Sequence, residues 1–321
     1  MADWRHVCLC STQLLCEYDS VPQDNKWYCD RNMEEMNYKT KMLGLVTLYN
    51  PKLPNAVDNI MQYLPHLDLL IIWDNSPLEA NLKQKILEAL PEGIDNIMWH
   101  GDGNNYCIAP AINYTWHYAQ ENGFDLILLM DQDSQWENFP LYRKRIDELM
   151  AENKLYVYKP YIFGEDTFSF TQPVVFRRRF INSGTVIPVG ILDSIGGADE
   201  IFALDALDTD MSLRILKEGY QIACLTDCHL THIIGKPKRM RYLRLYTNDY
   251  GRFRTYTMTK SHIICYRKNK NLMTFEEKKK LFKEIIMWKF IRIILAEEDK
   301  AGRMRMFLKG IKDGITYKIN S

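Results

Sequence analysis

Two aspartates separated by one residue are the clearest chemical feature of this chain. Asp131 and Asp133 directly follow an apolar run, FDLILLM, at residues 124–130. Carboxylates at positions i and i+2 beyond a buried strand can reach one hard cation, and Mg²⁺ and Mn²⁺ prefer carboxylate and phosphate oxygens. We therefore predict a divalent-cation site, for Mg²⁺ or Mn²⁺, that links the protein to a diphosphate. The alternative is a polar turn, because aspartate is common at strand ends.

Three more aspartates lie within six residues of one another later in the chain, at Asp205, Asp208 and Asp210. The run from Asp208 to Gly219 has apolar residues at helical spacing, so it predicts a helix with an acidic first turn. One of these carboxylates could act as a general base toward an acceptor hydroxyl, with the others orienting it. Favourable interaction with the helix dipole is the alternative explanation for Asp208 and Asp210.

A histidine provides the third candidate group. His232 follows a strand-like run at 222–225 and a predicted turn at Asp227 and Cys228. A neutral imidazole could complete the coordination of the predicted cation. Because a lone histidine is more often structural, spacing alone leaves both explanations open.

The elements that must position these residues alternate between strand and helix. Strands are predicted at 42–48, 67–73, 96–99 and 124–130, and helices at 55–63, 81–90 and 109–122. This alternation indicates βαβ units and a mostly parallel sheet, and the near-continuous apolar strands fit a sheet covered on both faces. We therefore expect an α/β fold with a Rossmann-like nucleotide-binding half.

Polar residues follow each predicted strand. They are Thr47, Tyr49 and Asn50 after the first strand, Asp74 and Asn75 after the second, the run 100–106 after the third, and the run 131–134 after the fourth. In open α/β sheets, ligands bind outside the carboxyl ends of the strands. The topology therefore predicts one site at this edge of the sheet.

The formal net charge of zero hides a division along the chain. Residues 236–321 contain 23 Lys and Arg against 8 Asp and Glu, a balance of +15, which leaves 18 basic and 33 acidic residues in 1–235. A basic face attracts polyanions such as nucleic acid, anionic lipid headgroups or pyrophosphates. Helices are predicted at 275–296 and 303–313. They could meet a membrane surface, or pack on the catalytic domain with Lys and Arg facing solvent.

Several classes of protein are disfavoured by the sequence. The apolar runs are too short for a membrane span, and the first ten residues lack a signal-peptide pattern. The eight cysteines lack paired CxxC spacing, so reduced thiols in a cytoplasmic protein are the simpler expectation. We predict a loosely packed or disordered extension at 1–40, a catalytic domain at 41–235, and a basic, mainly helical region at 236–321 packed on it.

Seven short motifs, taken in their order along the chain, resemble those of a known protein family. That order is Thr47-x-Tyr-Asn, Asp74-Asn-Ser, Asn105-x-x-Ile-Ala-x-Ala-x-Asn113, Asp131-Gln-Asp-Ser, Gly196-Gly-x-Asp-Glu, Asp205-x-x-Asp-Thr-Asp and His232-x-x-Gly. It resembles glycosyltransferase family 2, of the GT-A fold, and most of all the bacterial rhamnosyltransferases of surface-polysaccharide assembly. The likeness runs from about Met42 to Asn320. Arg267-Lys-Asn269 and Gly310-Ile-Lys-Asp-Gly314 are similar to C-terminal landmarks of that subgroup.

The resemblance implies roles for individual residues. Those implied to bind the donor are Thr47, Tyr49, Asp74, Asn75, Asn105, Asn113, Asp131 and Gln132. Asp131, Asp133 and His232 would hold the divalent cation, and Asp208 matches the catalytic base, supported by Asp205 and Asp210. The implied reaction is inverting transfer of a sugar, with rhamnose from dTDP-rhamnose the first choice. The implied acceptor is a saccharide or a lipid-linked saccharide. The basic C-terminal helices, if they meet a membrane surface, would make a peripheral contact at its inner face.

Departures from the family pattern keep alternatives open. Cys107 replaces the usual glycine of the Asn105–Asn113 motif, and glycine tolerates a positive φ that cysteine adopts only at a cost. A non-catalytic sugar-binding homologue therefore remains an alternative. A sugar-nucleotide nucleotidyltransferase is another, although a glycine-rich basic phosphate loop is missing near the first strand. The chain carries no motif of a nucleic-acid binder, so nucleic acid is not an expected partner.

Overall fold

A computed structural model describes residues 40–163, 171–202, 204–232 and 250–319, together with the backbone of two short strands at 238–239 and 246–247. The predicted extension at 1–40 lies outside these residues except for Thr40, and Gly235 of the His232 motif also lies outside them. The division into a catalytic domain at 41–235 and a C-terminal region at 236–321 stays a prediction.

The strands form one large sheet and one small hairpin. They are β1 Met42–Leu48, β2 Leu69–Asp74, β3 Ile97–His100, β4 Leu126–Asp131, β5 Ser134–Trp136, β6 Val157–Phe163, β7 Val174–Arg177, β8 Thr185–Pro188, β9 Ile222–His232, β10 Lys238–Arg239 and β11 Tyr246–Thr247. The order in the large sheet is β3-β2-β1-β4-β8-β6-β9-β5, with β7 also paired to β9, and β10 pairs with β11.

Helices surround this sheet and continue to the end of the chain. They are α1 Leu53–Met61, α2 Leu82–Ala89, α3 Ala109–Asn122, α4 Phe139–Ala151, α5 Val189–Ile195, α6 Leu207–Lys217, α7 Arg252–Asn269, α8 Phe275–Leu281, a π-helical turn at Phe282–Trp288, α9 Lys289–Leu295 and α10 Lys300–Thr316. Among the residues described, no helix has both the length and the hydropathy needed to cross a membrane.

The first half of the sheet is parallel, as predicted. β1 pairs in parallel with β2 and β4, and β2 pairs in parallel with β3. The register places Thr47 opposite Asp131 and Leu48 opposite Asp74, so the polar residues after these strands share one edge. The second half is mixed, because β8 runs antiparallel to β4 and β6, and β5 and β7 run antiparallel to β9.

The C-terminal helices share the hydrophobic core of the sheet. One cluster of buried side chains joins strand residues such as Leu43 and Ile127 to Ile264 and Cys265 of α7 and Ile285 of the π-helical turn. Because apolar burial is the main stabilising contribution in folding, this shared core fixes the C-terminal helices against the sheet. The buried side chains of this cluster form the inner face of the C-terminal helices.

Two local predictions differ from the structure. The predicted turn at Asp227 and Cys228 is wrong, because β9 continues from Ile222 to His232. Its register with β6 jumps from Leu225 opposite Pro160 to His229 opposite Tyr161, so residues 226–228 form a bulge in β9 itself. The predicted helix at 275–296 forms, but its middle turn is π-helical, at Phe282–Trp288.

Two glycines allow α10 to pack closely on α7. A Cβ added at Gly310 would lie 2.9 Å from the backbone oxygen of Tyr256, and one at Gly314 would lie 2.9 Å from Cβ of Ile263. Real Cβ contacts are longer than this, and backbone atoms cannot yield as a flexible side chain can. The Gly310-to-Gly314 landmark is thus explained by a close approach of two helices.

We expect Gly310→Ala to lower the free energy of unfolding by about 1–3 kcal/mol, because the added methyl group overpacks the contact between the helices. Alanine's better helix propensity, about 1 kcal/mol, offsets part of this loss. Denaturant unfolding measures the change. The control is Gly190→Ala in α5, where nothing lies within 4 Å of the added Cβ. If Gly310→Ala proved as stable as this control, the close-packing account would be contradicted.

Candidate active site

The site forms where the parallel strands end. Thr47 at the end of β1 and Asp131 at the end of β4 stand opposite each other and line a small cavity with Asn182. The floor of this cavity is apolar and includes Leu45 and Ile112. Oδ1 of Asn182 is buried and has no hydrogen-bond partner among the described residues, so a bound ligand could supply one. The sequence analysis missed Asn182 because it follows no predicted strand.

Asp133 and His232 lie close together beside this cavity. Oδ1 of Asp133 is 3.7 Å from Nδ1 of His232, and the register of β5 on β9 pairs Ser134 with His232. A carboxylate and an imidazole that arrive on different strands are therefore brought together by sheet pairing. This proximity is what the metal prediction required of these two residues.

Two buried serines connect His232 to Asp131. Oγ of Ser134 lies 2.7 Å from Nδ1 of His232, Ser183 donates to Ser134 at 2.5 Å, and the Asp131 N–H donates to Ser183 at 3.4 Å. When the proton is on Nδ1, the Nδ1–H donates a hydrogen bond to Ser134 Oγ, and the lone pair of Nε2 is available to a ligand. A metal-binding histidine is normally oriented by such a hydrogen bond on its other nitrogen. No sequence pattern points to Ser183, because its partner Ser134 is distant in the chain.

The residues fit a cation shared with a ligand rather than a closed protein cage. Within 40–163, 171–202, 204–232 and 250–319, no group of three or more His, Cys, Asp or Glu side chains is arranged to hold a metal ion. Mg²⁺-type sites often use one or two carboxylates and take their other ligands from substrate phosphates and water. The donor set of Asp131, Asp133 and His232 has the chemistry for such an open site.

The electrostatic surroundings of Asp131 connect the cation site to α6. Burial raises the pKa of the Asp131 carboxyl to about 6; His232 opposes the rise, and Asp133 and Asp208 add to it. Three carboxylates from two segments of the chain therefore interact at one place. A positive ion is the natural neutralising partner for such a cluster.

Asp208 lies in the first turn of α6, partly buried. Its Oδ1 accepts a hydrogen bond of 2.7 Å from the Thr209 N–H. Burial raises the pKa of Asp208, and this hydrogen bond, His262 and Arg179 oppose the rise, while Asp205 adds to it. A carboxylate with a raised pKa is a better proton acceptor, which suits a general base.

Asp205 is a buried neighbour of Asp208. Its Oδ1 lies 3.6 Å from a guanidinium nitrogen of Arg254 on α7, and its Oδ2 has no hydrogen-bond partner among the described residues. The pKa of the Cys107 thiol is raised mainly by burial and, second, by the negative charge of Asp205. The 100–107 loop therefore lies near the Asp205 carboxylate. Asp205 therefore lies close to both the 100–107 loop and helix α7.

Asp210 holds the structure together, and its predicted catalytic role is not supported. The side chain is fully buried, and its oxygens accept 2.7 Å hydrogen bonds from Arg214 and Asn269, with Lys268 at 3.4 Å. Because both oxygens are engaged by cationic or amide donors, a proton from a bound acceptor has no access to them. Asp210 instead anchors α7 to α6.

The loop after β3 is organised by two side chains predicted to bind the donor. Asn75 is buried, accepts hydrogen bonds from Trp73 Nε1 and the Tyr106 N–H, and donates to the Cys107 carbonyl at 3.0 Å. Asn105 accepts from the Cys107 N–H at 2.9 Å. Their polar groups shape the loop, so the structure favours a supporting role for both residues.

Cys107 has φ +64°, the left-handed conformation that glycine adopts freely. The backbone at Cys107 therefore adopts the conformation that glycine favours, although the residue is cysteine. The hydrogen bonds from Asn75 and to Asn105 stabilise the strained residue.

Three remaining donor candidates lie at or near the same edge. Oδ1 of Asp74 accepts from the Ser76 N–H, and Gln132 holds the exposed Tyr49 by hydrogen bonds to its backbone N–H and carbonyl. A Cβ on Gly101 would lie 2.7 Å from the Asp74 carbonyl oxygen, so the next loop closely approaches Asp74. Gln132 therefore joins the ends of β1 and β4, and the ring of Tyr49 stays available to a ligand.

Asn113 joins α3 to the Gly-Gly motif instead of pointing into open space. Its Oδ1 accepts from the Ala198 N–H at 2.8 Å, and its Nδ2 donates to the Ala198 carbonyl and to Glu200 at 3.0 Å. All of its hydrogen-bonding positions toward this loop are used. Asn113 therefore positions the 196–200 loop, and its contact with the donor stays a prediction.

Residues 267–269, at the end of α7, contact three other parts of the structure. Lys268 pairs with Asp199 at 2.6 Å, and Asn269 donates to Asp210 at 2.7 Å. Arg267 donates to the carbonyls of Gly314 and Tyr317. The three consecutive residues thus connect α7 to the Gly-Gly loop, to α6 and to the end of α10.

Sequence comparison supports the expected kinship. No protein-family model matches the chain. The dTDP-rhamnosyl transferase RfbF of Shigella flexneri is 23% identical to it over 296 residues, and the match covers 86% of this chain and 96% of that protein. The match therefore spans nearly the full length of that relative.

Solved structures share the fold at low sequence identity. GalNAc-T7 with UDP, GalNAc and Mn²⁺ matches with a TM-score of 0.55 and 10% identity, over 87% of this chain but only 56% of that one. The mannosyltransferase PcManGT of Pyrobaculum calidifontis, in complex with GDP-Man and Mn²⁺, has a TM-score of 0.53 and 12% identity, covering 88% and 77%. S. aureus TarS 1-349 with UDP-GlcNAc has a TM-score of 0.52 and 12% identity, covering 86% and 81%.

These matches confirm two expectations from the sequence. The mixed sheet with its flanking helices and helical C-terminus is an arrangement that glycosyltransferases share. The similarity to RfbF extends over almost the whole of that protein. The chain therefore has the GT-A fold, and its predicted resemblance to glycosyltransferases, bacterial rhamnosyltransferases among them, is confirmed.

Proposed function

We propose that this protein is a glycosyltransferase that transfers a sugar from a nucleoside-diphosphate donor to a hydroxyl acceptor. One observation carries the proposal: Asp131, which interacts with Asp133 and His232 at the strand edge, also lies within electrostatic reach of Asp208 on α6. Such a site offers a place for a metal-bound diphosphate and a nearby proton acceptor, the two requirements of the reaction.

The donor we propose is dTDP-rhamnose. The similarity to a dTDP-rhamnosyl transferase supports this choice.

Asp131, Asp133 and His232 would hold a divalent cation, Mg²⁺ or Mn²⁺, together with the donor diphosphate. When bound, the cation supplies positive charge that stabilises the nucleoside diphosphate as a leaving group. The described structure brings to this task an imidazole oriented through Ser134 and a half-exposed Asp133 carboxylate. The Mn²⁺ complexes of GalNAc-T7 and PcManGT support this proposal.

The reaction we propose is a single displacement with inversion. The acceptor oxygen forms a bond to the anomeric carbon, the bond from that carbon to the phosphate oxygen breaks, and the nucleoside diphosphate leaves. Asp208 takes the proton from the acceptor hydroxyl. Asp205 and Arg254 stand beside it and would orient the acceptor, which we propose is a saccharide or a lipid-linked saccharide.

A panel of nucleotide sugars tests this function. We expect release of dTDP from dTDP-rhamnose in the presence of Mn²⁺, with a thermal shift on binding, and weaker signals from UDP-glucose and GDP-mannose. Release of pyrophosphate would indicate a nucleotidyltransferase instead. Donor binding without any release of nucleoside diphosphate, even with saccharide acceptors, would indicate a non-catalytic homologue. No binding of any nucleotide sugar would contradict the proposal.

A further inference from the structure

The residues from Phe275 to Leu295 form one continuous helix with two different faces. The junctions of α8, the π-helical turn and α9 all keep right-handed helical backbone angles. One face is buried and carries Leu281, Ile285 and Ile293. This face packs on the core that the C-terminal helices share with the sheet.

The other face exposes large apolar side chains in line with lysines. The exposed stripe consists of Phe275, Lys279, Phe282, Lys283, Met287, Phe290 and Ile294. Phe275 is 75% exposed, Phe282 62% and Phe290 44%. Spacings of three and four residues keep these side chains on one side of the helix. Exposing several large apolar groups side by side is costly in water, and such patches usually mark interaction sites.

We propose that this exposed stripe is a docking surface for an anionic membrane, on which the helix lies flat. The phenylalanines would enter the boundary between headgroups and acyl chains, and the lysines would meet the anionic headgroups. The charge of the surrounding region supports this partner, since residues 236–321 hold 23 basic against 8 acidic residues. This inference stands independently of the proposed enzymatic function.

The charge also argues against a second copy of the chain as the occupant. A symmetric dimer would place the same patch on both subunits, so Lys279 and Lys283 would face equivalent lysines of the other copy. Like charges across an interface oppose association, whereas an anionic lipid surface neutralises them.

Vesicle co-sedimentation of the full chain tests the proposal. We expect binding to vesicles of phosphatidylcholine with phosphatidylglycerol at low salt, weakened at high salt, and little binding to phosphatidylcholine alone. The double variant Phe282→Ser/Phe290→Ser should reduce binding by about tenfold or more, because it removes two inserting side chains. Lys279→Glu/Lys283→Glu should reduce binding to the anionic vesicles through charge alone.

The matched control is Leu87→Ser on α2, which changes an exposed leucine outside the Phe275–Leu295 helix. It should bind vesicles as the parent protein does. Because all of these positions are exposed, thermal unfolding should change little, and this measurement verifies that each variant is folded. The proposal is overturned if the parent protein ignores anionic vesicles, or if Phe282→Ser/Phe290→Ser binds them equally well. It is also overturned if light scattering shows a dimer that this variant disrupts, because the stripe would then be an interface between copies.

Discussion

Asp208→Asn should reduce kcat by about 10³-fold while leaving donor affinity within about twofold of the parent value. Asparagine keeps the size of the side chain and its hydrogen bond from the Thr209 N–H. It cannot accept a proton from the acceptor hydroxyl, so only the chemical step is affected. Steady-state transfer to a saccharide acceptor gives kcat, and titration with the donor and Mn²⁺ gives the affinity.

Asp205→Asn is the comparison for this variant. Asp205 is the neighbouring carboxylate, but it pairs with Arg254 and is not the proposed proton acceptor. It should affect KM for the acceptor more than kcat. Should Asp205→Asn abolish turnover while Asp208→Asn remains active, the base has been assigned to the wrong aspartate.

Asp133→Ala should remove most of the effect of Mn²⁺ on donor binding. In the parent protein we expect Mn²⁺ to strengthen nucleoside-diphosphate binding by about tenfold or more, because the cation joins two anionic partners. Without the Asp133 carboxylate, one ligand is lost and His232 loses its 3.7 Å neighbour. Calorimetric titration of dTDP with and without Mn²⁺ measures this directly, without any need for turnover.

Gln132→Ala is the matched control for Asp133→Ala, because it changes the residue between the two carboxylates. It loses the hydrogen bonds to the backbone of Tyr49 and should weaken dTDP binding equally with and without Mn²⁺. A parent protein whose dTDP affinity does not respond to Mn²⁺ or Mg²⁺ would rule out the cation role of Asp131 and Asp133.

The parallel half of the sheet was predictable because its signals are local. Strands β1 to β4 are apolar runs that lie within about two residues of the predicted ranges. Helix α3 begins and ends at the predicted residues because Pro110 is in its first turn and Gly123, with φ +67°, ends it. The second half of the sheet was not predicted, since β9 depends on pairing with β5, β6 and β7 from distant parts of the chain.

Helix α7 was missed for a different physical reason. Its buried residues, among them Thr255, Met258, Ile263 and Ile264, are spread around the helix instead of forming a stripe. It packs on α6, on α10 and on the core, so it is covered from several sides. Periodicity detects helices with one apolar face, and α7 lacks that pattern.

The candidate site shows where residue type stops being informative. A polar side chain after a strand has the same sequence signature whether it contacts a ligand or the protein's own backbone. Asn75 and Asn113 proved to hold loops, and Asp210 is buried among Arg214, Lys268 and Asn269. Only the three-dimensional contacts distinguish these supporting residues from Asp131, Asp133 and Asp208.

A crystal structure of Asp208→Asn with intact dTDP-rhamnose and Mn²⁺ tests the central claim most directly. We predict that the cation and diphosphate lie against residues 131, 133 and 232, with the anomeric carbon facing Asn at position 208. A donor bound away from the carboxyl ends of β1 and β4, or a diphosphate with no cation beside Asp131 and Asp133, would contradict the account.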